Sequence, residues 1–306
     1  MTSLGVYLRG LAMGAADIVP GVSGGTVAFI TGIYPALLNS IRSFDLTALQ
    51  YLLRAELASF WRHVNGRFLL LLVAGIATSV FTLARWLSWV LEHYPEPLWG
   101  FFFGLILASA GVLLRRVSHW RWPQWLALLA GAGLALYIAL APGSGFVTGL
   151  PGIFLAGFIA VCAMLLPGIS GSFILLLLGM YSSVLAALRD FDFFFLGVFL
   201  AGAVLGLAVF SRLLHWLLQR FHTLAMALLT GFLSGSLASI WPWKYVSAWV
   251  AGSGGILEPA QRLPVMPAEY FLRTGADPRL LPCLLLAVLG VLLVWRVERK
   301  WGRPLE

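Results

Sequence analysis

Apolar residues gather along this chain in ten stretches: 5–19, 26–41, 68–90, 98–114, 124–140, 150–166, 173–188, 193–218, 224–241 and 280–297. A helix crossing a bilayer upright needs about 20 residues at about 1.5 Å each, and about 17 is the lower limit. Several stretches reach that length, but the first, second and seventh have only 15 or 16 residues. The short stretches flank Pro20-Gly21 in the first half and Pro167-Gly168 in the second. The pattern therefore predicts ordinary crossings together with two broken or re-entrant helix pairs. The first stretch does not read as a cleavable signal peptide, because it carries Asp17 and Arg9 is its only basic residue.

The chain also repeats itself. Residues 20–45 align without a gap on 167–192, at an offset of 147, with ten of 26 positions identical. Leucine matches are cheap in apolar sequence. A proline, a tyrosine, an arginine and an aspartate held in register (Pro20/Pro167, Tyr34/Tyr181, Arg42/Arg189, Asp45/Asp192) are not. A second block follows at an offset of 127, with Gly75/Gly202, Arg85/Arg212, Trp89/Trp216 and Gly104/Gly231. The shortfall marks an insert in the first half. Two repeats are predicted, 1–148 with an insert at 46–66 and 149–306 with an extramembrane loop at 243–279. The insert places Leu46, Leu49, Leu53, Leu57 and Phe60 on one face, as expected of a helix lying in the membrane interface.

Composition narrows the class. Of 306 residues, 60% are hydrophobic and 10% charged, against about 25% charged in soluble domains. So few ionic groups cannot form a water-soluble shell, which excludes soluble enzymes and nucleic-acid modules despite a net charge of +8. The basic residues read instead as topology signals. Arg42, Arg54, Arg62 and Arg67 share one loop, Arg115, Arg116 and Arg121 another, and Arg296, Arg299, Lys300 and Arg303 the tail. Placing these in the cytoplasm satisfies the positive-inside rule, although Lys244, Arg262, Arg273 and Arg279 then lie outside. Each short pair must enter and leave on one face, either as a re-entrant hairpin or as two crossings. Three ordinary crossings per half remain, and three is odd. The halves are therefore expected to be inverted, which makes the fold an all-α polytopic membrane protein with an inverted-topology repeat and both termini cytoplasmic.

The repeated Pro-Gly-x-Ser-Gly, followed by a helix containing Gly-x-Tyr, carries the candidate chemistry. Proline ends one helix, glycine opens the turn, and the next helix starts with unpaired N–H groups and positive potential. Ser23, Thr26, Ser170 and Ser172 add hydroxyls, a set suited to an anion and above all to a phosphate. Paired broken helices in inverted halves form midplane sites in secondary transporters. The copies are unequal, since Thr26 corresponds to Phe173 and Asp17 to Met164. Arg85 and Arg212 suit bidentate phosphate contact or snorkel to an interface. Asp17 reads as a counter-charge, a protonation site or a helix-end cap. Tyr34 and Tyr181 are read as interfacial anchors, and Gly100/Gly104 and Gly231/Gly235 as close-packing sites. The candidate substrate contacts are Asp17, Gly21, Ser23, Gly24, Gly25, Thr26 and Arg85 in the first half, and Gly168, Ser170, Gly171, Ser172 and Arg212 in the second. Five scattered histidines and two cysteines inside apolar runs offer no metal or catalytic spacing, so neither enzyme, metal nor cofactor is expected.

Residues 14–26, Gly-Ala-Ala-Asp-Ile-Val-Pro-Gly-Val-Ser-Gly-Gly-Thr, with Gly32-Ile-Tyr34 after them, resemble the bacterial undecaprenyl phosphate translocase family, once catalogued as domain of unknown function 368. Residues 166–172, Leu-Pro-Gly-Ile-Ser-Gly-Ser, with Gly179-Met-Tyr181, look like that family's second element. The resemblance spans essentially the whole chain. It implies return of undecaprenyl phosphate, the spent lipid carrier of cell-wall synthesis, from the outer to the cytoplasmic leaflet of the bacterial inner membrane. The alternatives are an ion-coupled transporter of a small soluble anion and a membrane-integral lipid-phosphate enzyme. The implied partners are the lipid phosphate and the bilayer, without nucleic acid, and a homo-oligomer is compatible with such a chain.

Overall fold

The computed structural model of the chain describes residues 2–18, 22–117, 119–141, 149–251 and 257–301. The first repeat opens with α1 (Ser3–Ile18), α2 (Gly24–Ile30) and α3 (Tyr34–Arg42), and the second with α9 (Gly149–Leu165), α10 (Gly171–Leu177) and α11 (Tyr181–Arg189). Both α2 and α10 have 7 residues, both α3 and α11 have 9, and each pair is 147 positions apart. The long helices α6 (Gly66–His93) and α12 (Phe193–Arg220) have 28 residues each, 127 apart, as the second block of the repeat requires.

Gly-x-Tyr does not lie inside a helix, which corrects the sequence expectation. α2 and α3 meet at 118°, and α10 and α11 at 109°. Gly32 and Gly179 adopt left-handed backbone at the bends, with φ of +75° and +67°, a conformation that costs other residues roughly 1–2 kcal/mol. Tyr34 and Tyr181 then start the next helices.

Small residues reveal how the helices run. Gly10 and Gly14 of α1 lie against Leu72 and Ile76 of α6, so these helices are parallel. In the second repeat, Gly202 and Gly206 of α12 lie against Phe154 and Phe158 of α9. α7 (Pro95–Arg116) runs parallel to α15 (Leu280–Trp301), with Gly100 and Gly104 on Cys283 and Ala287. α8 (Trp122–Leu140) runs parallel to α13 (His222–Ser236), with Gly231 and Gly235 on Leu128 and Ala132. The last two pairings cross between repeats, so the halves are interlocked. Consecutive crossings alternate in direction. Hence α1, α6, α8 and α13 run one way and α7, α9, α12 and α15 the other, which is an inverted repeat.

The first short pair enters and leaves on one face. Arg67, at the start of α6, donates to Ser3 Oγ at the start of α1 at 2.7 Å, so the chain has returned to the face where α1 begins (the near face). α13 is shorter than the stretch 224–241 promised, with 15 residues, of which ten are buried. Protein rather than lipid surrounds it, so bilayer thickness does not set its length.

Two additions break the symmetry. The insert is two short helices, α4 (Leu46–Leu53) and α5 (Leu57–His63), rather than one. Asp45 caps α4 by accepting the Ala48 N–H at 2.9 Å, and Leu46, Leu53 and Leu57 are all well exposed. Between α13 and α15 stand an antiparallel hairpin, β1 (Lys244–Ala251) and β2 (Leu257–Pro264), and then α14 (Pro267–Thr274). These strands had no counterpart in the sequence expectation of a loop. They cap the far face, where Gln261 Nε2 donates to Leu140 O at 2.8 Å and Tyr270 OH donates to Glu96 Oε1 at 2.6 Å. Lys244 Nζ sits 3.8 Å from the centre of the Trp99 ring and donates to Ser239 O. Its burial, with Arg262 nearby, lowers its pKa to about 7.

Candidate functional site: the paired corners

Gly14 lies beside Ile76 and Ser79, the midpoint of α6, and Cys162 Sγ lies 3.8 Å from the carbonyl of Gly206, the midpoint of α12. Both corners therefore follow shortly after α1 and α9 pass the midpoints of these long helices. Non-helical backbone is tolerated at that depth only inside protein or beside water. Here the first corner packs against the end of α9 and against Gly168, and the second against α9 and α13.

At the first corner, Ser23 is the N-cap of α2 and accepts the Gly25 N–H at 3.1 Å. Its hydroxyl also lies 3.3 Å from Met164 O, to which it donates across the repeat boundary. Asp17 Oδ1 accepts the Gly24 N–H at 2.6 Å, so a carboxylate of the chain already occupies the position at the head of α2 that suits an anion. Thr26 Oγ1 accepts the Gly168 N–H at 2.8 Å, and Tyr34 OH donates to Leu165 O at 2.6 Å. Ser23 is 1% exposed, Thr26 0% and Tyr34 1%. Tyr34 is therefore a buried tie between repeats, not an interfacial anchor. Pro20 and Gly21 lie outside the described residues.

The second corner is built differently. Gly168 takes φ +90°, and a side chain there would meet Ser236 Oγ at 2.8 Å and Phe232 O at 3.0 Å. Ser170 stands at the N-cap of α10 without bonding the helix; its Oγ lies 2.8 Å from Ser172 Oγ. Among the described residues none bonds the N–H groups of Gly171 or Ser172. Gly171 is needed for closeness, because a Cβ would come within 2.8 Å of Ala160 O. Met164 holds the position equivalent to Asp17 and is well exposed. The first corner is thus internally satisfied, whereas the second keeps its hydroxyl pair uncommitted to backbone. That difference follows from Met164 and Phe173 standing opposite Asp17 and Thr26 in the repeat, and from Ser172 standing where the first corner has Gly25.

The structure brings together Asp17, Ser23, Gly24, Gly25, Thr26, Gly168, Ser170, Gly171 and Ser172. It does not bring Arg85 or Arg212 to them. Arg85 is exposed on α6. Arg212 is exposed on α12, where it donates to Ala208 O at 2.7 Å and to Phe44 O at 3.5 Å, near the end of α3. Sequence reasoning missed a cavity of about 1040 Å³ beside the first re-entrant pair, walled by α1, α2, α6, α7 and α15. Arg9 and Arg279 are in its wall. No local signal marks such a space, since five elements distant in sequence contribute to it.

The bond between Thr26 and Gly168 is testable. Thr26→Val preserves shape but leaves a buried N–H unpaired, which costs about 1–3 kcal/mol. The expected result is a lower melting temperature for the purified protein in detergent, with Thr26→Ser close to wild type. Equal melting of Thr26→Val and wild type would show that the bond does not hold the corners.

The chain matches known proteins over the same elements. A family model described as VCA0040-like, undecaprenyl phosphate translocase-like, matches residues 13–257 and includes both corners. A polyprenyl-phosphate transporter of Vibrio cholerae is 45% identical over 299 residues, which cover 98% of this chain and 97% of that protein. A polyprenyl-phosphate transporter of Staphylococcus aureus is 31% identical over 254 residues, 77% of this chain and 85% of that one. No solved structure matches. With both motif corners, their inverted setting and nearly full-length similarity in agreement, the chain belongs to the VCA0040-like, undecaprenyl phosphate translocase-like family.

Proposed function

We propose that this protein carries undecaprenyl phosphate across the bacterial cytoplasmic membrane, from the outer to the inner leaflet, without covalent chemistry. The two relatives are named polyprenyl-phosphate transporters, and the reading takes its substrate from them. The observation that carries the mechanism is the junction of the corners at half depth, joined by the 2.8 Å bond from the Gly168 N–H to Thr26 Oγ1. A phosphate head group crossing hydrocarbon unaided faces a barrier on the order of ten kcal/mol or more. Donors at mid-depth lower it, provided the tail remains in an apolar space.

In this reading Ser170 and Ser172, with the backbone of Gly168 and Gly171, receive the head group. Asp17, Ser23, Gly24, Gly25 and Thr26 hold the opposing corner and exchange bonds as the halves rock. Each inverted half, 1–148 and 149–306, exposes the junction to one leaflet in turn. The near face is cytoplasmic, because Arg54, Arg62, Arg67, Arg115 and Arg121 belong to it. The exposed leucines of the insert 46–66 lie in that interface. Net direction comes from an ion gradient or from concentration.

Leaflet exchange of labelled undecaprenyl phosphate in proteoliposomes tests this. Exchange by wild type is expected well above empty liposomes, with at least a tenfold loss in Ser170→Ala/Ser172→Ala and no inhibition by excess inorganic phosphate. Wild type equal to empty liposomes would overturn the reading, and inhibition by inorganic phosphate would favour a soluble-anion transporter. Arg85→Ala and Arg212→Ala at wild-type rates would remove only those two arginines from the substrate path.

A further inference from the structure

The residues lining the cavity beside α1 and α2 run along most of α15, from Pro282 to Val297. Leu8, Arg9 and Thr31 line its near end, Ala15, Ala16 and Val27 its middle, and Tyr94, Pro97 and Arg279 its far end. The middle adjoins the first corner, since Ala16 immediately precedes Asp17, whose carboxylate bonds the head of α2. The walls are otherwise almost wholly apolar. A space of about 1040 Å³ is large for any soluble anion, and ordinary ligand pockets run from about 300 to 1,000 Å³ with precisely placed polar groups.

Its charged groups are cations, one at each end. Arg9 is 8% exposed, and its guanidinium donates to Gly5 O at 3.0 Å and Thr31 O at 3.3 Å. At the far end, Arg279 donates to His93 O at 2.5 Å, lies 3.5 Å from Glu96 Oε2 and stands 4.8 Å from the centre of the Tyr94 ring. A buried cation at membrane depth is costly and marks a path for an ion. An apolar channel with an arginine at either mouth is complementary to a long hydrocarbon bearing one anionic head.

We propose that this groove holds the polyprenyl chain of the lipid phosphate, with Arg279 facing the phosphate at the far end and Arg9 facing it at the near end. The assignment rests on the transport reading above and adds the route of the tail to it. The chain lies between the first re-entrant pair and α6, α7 and α15, so the head passes the corner at mid-depth while the tail stays in apolar surroundings. Glu96, held by Tyr270 OH at 2.6 Å, keeps Arg279 in place between passages.

Photo-crosslinking of the full-length protein in proteoliposomes with a benzophenone-bearing undecaprenyl phosphate tests the groove by occupancy rather than by transfer. Label is expected on peptides containing Leu87, Leu98 and Phe102, in at least fivefold excess over the same probe made as the uncharged alcohol. Excess inorganic phosphate should leave it unchanged. Ala12→Phe, which projects a ring into the groove from an exposed position on α1, should cut the label at least tenfold. Leu83→Trp on the opposite wall serves as the second filling variant. Arg279→Gln should erase the preference for phosphate over alcohol. Label confined to α8 or α12, or unaltered in both filling variants, overturns the assignment. A labelled groove without leaflet exchange counts against transport alone, and exchange with an unlabelled groove counts against the groove alone.

Discussion

Gly168→Ala is expected to destabilise the protein by roughly 2–5 kcal/mol and to abolish leaflet exchange. Two costs add. A non-glycine residue in left-handed backbone loses about 1–2 kcal/mol, and Gly168 has φ +90°. Overpacking adds about 1–3 kcal/mol, because the new Cβ would meet Ser236 Oγ at 2.8 Å, Phe232 O at 3.0 Å and Leu233 Cα at 3.1 Å. Part of that wall is backbone of α13, which cannot swing aside. The same N–H that holds Thr26 must then move, so the link between repeats is strained as well. Gly32→Ala is the control. Its φ of +75° carries the conformational cost, but nothing lies within 4 Å of the site, so its loss should stay near 1–2 kcal/mol. Thermal melting of both variants in detergent separates the terms, and equal losses would show that packing at Gly168 contributes nothing.

Gly104→Leu and Gly231→Leu should each prevent the two repeats from closing on one another. At both positions the first side-chain carbon would fall inside a backbone carbonyl of the partner helix, Ala287 O in α15 for Gly104 and Leu128 O in α8 for Gly231. Transmembrane helices associate through such close approach rather than through a hydrophobic force, since lipid tails are as apolar as leucine. Even alanine should cost about 1–3 kcal/mol, and leucine more. Both contacts join a helix of one repeat to a helix of the other, so the expected outcome is loss of the monodisperse peak on size exclusion and sensitivity to proteolysis. Gly111→Ala and Gly133→Ala, in helices α7 and α8 with open space around them, should instead be neutral or stabilising by up to about 1 kcal/mol. If all four glycines behaved alike, the interlocked pairing would be wrong.

The two corners of the inverted repeat are unequal. Three positions differ in chemistry: Asp17 against Met164, Gly25 against Ser172 and Thr26 against Phe173. Asp17 bonds the head of α2 within the first corner, and Thr26 ties that corner to Gly168 of the second. Among the described residues, the side chains of Ser170 and Ser172 in the second corner bond only each other.

The amino-acid sequence by itself determined the apolar stretches, the two Pro-Gly breaks, the duplication with its offsets of 147 and 127, and the insert. It also established that the halves oppose one another. These are local or arithmetic properties: residues in register, stretch lengths against bilayer thickness, and an odd number of crossings per half. Only the tertiary structure showed the chain returning to the face where α1 begins, because that rests on Arg67 reaching Ser3 across 64 positions. It alone placed Tyr34 in the core against Leu165, paired α7 with α15 and α8 with α13, and opened the groove between Arg9 and Arg279. Each of these depends on which surfaces meet after folding. In so uniformly apolar a chain, hydropathy cannot distinguish a residue facing lipid from one facing another helix, and that choice is made by shape, in the glycines and the few hydrogen bonds that packing brings within reach.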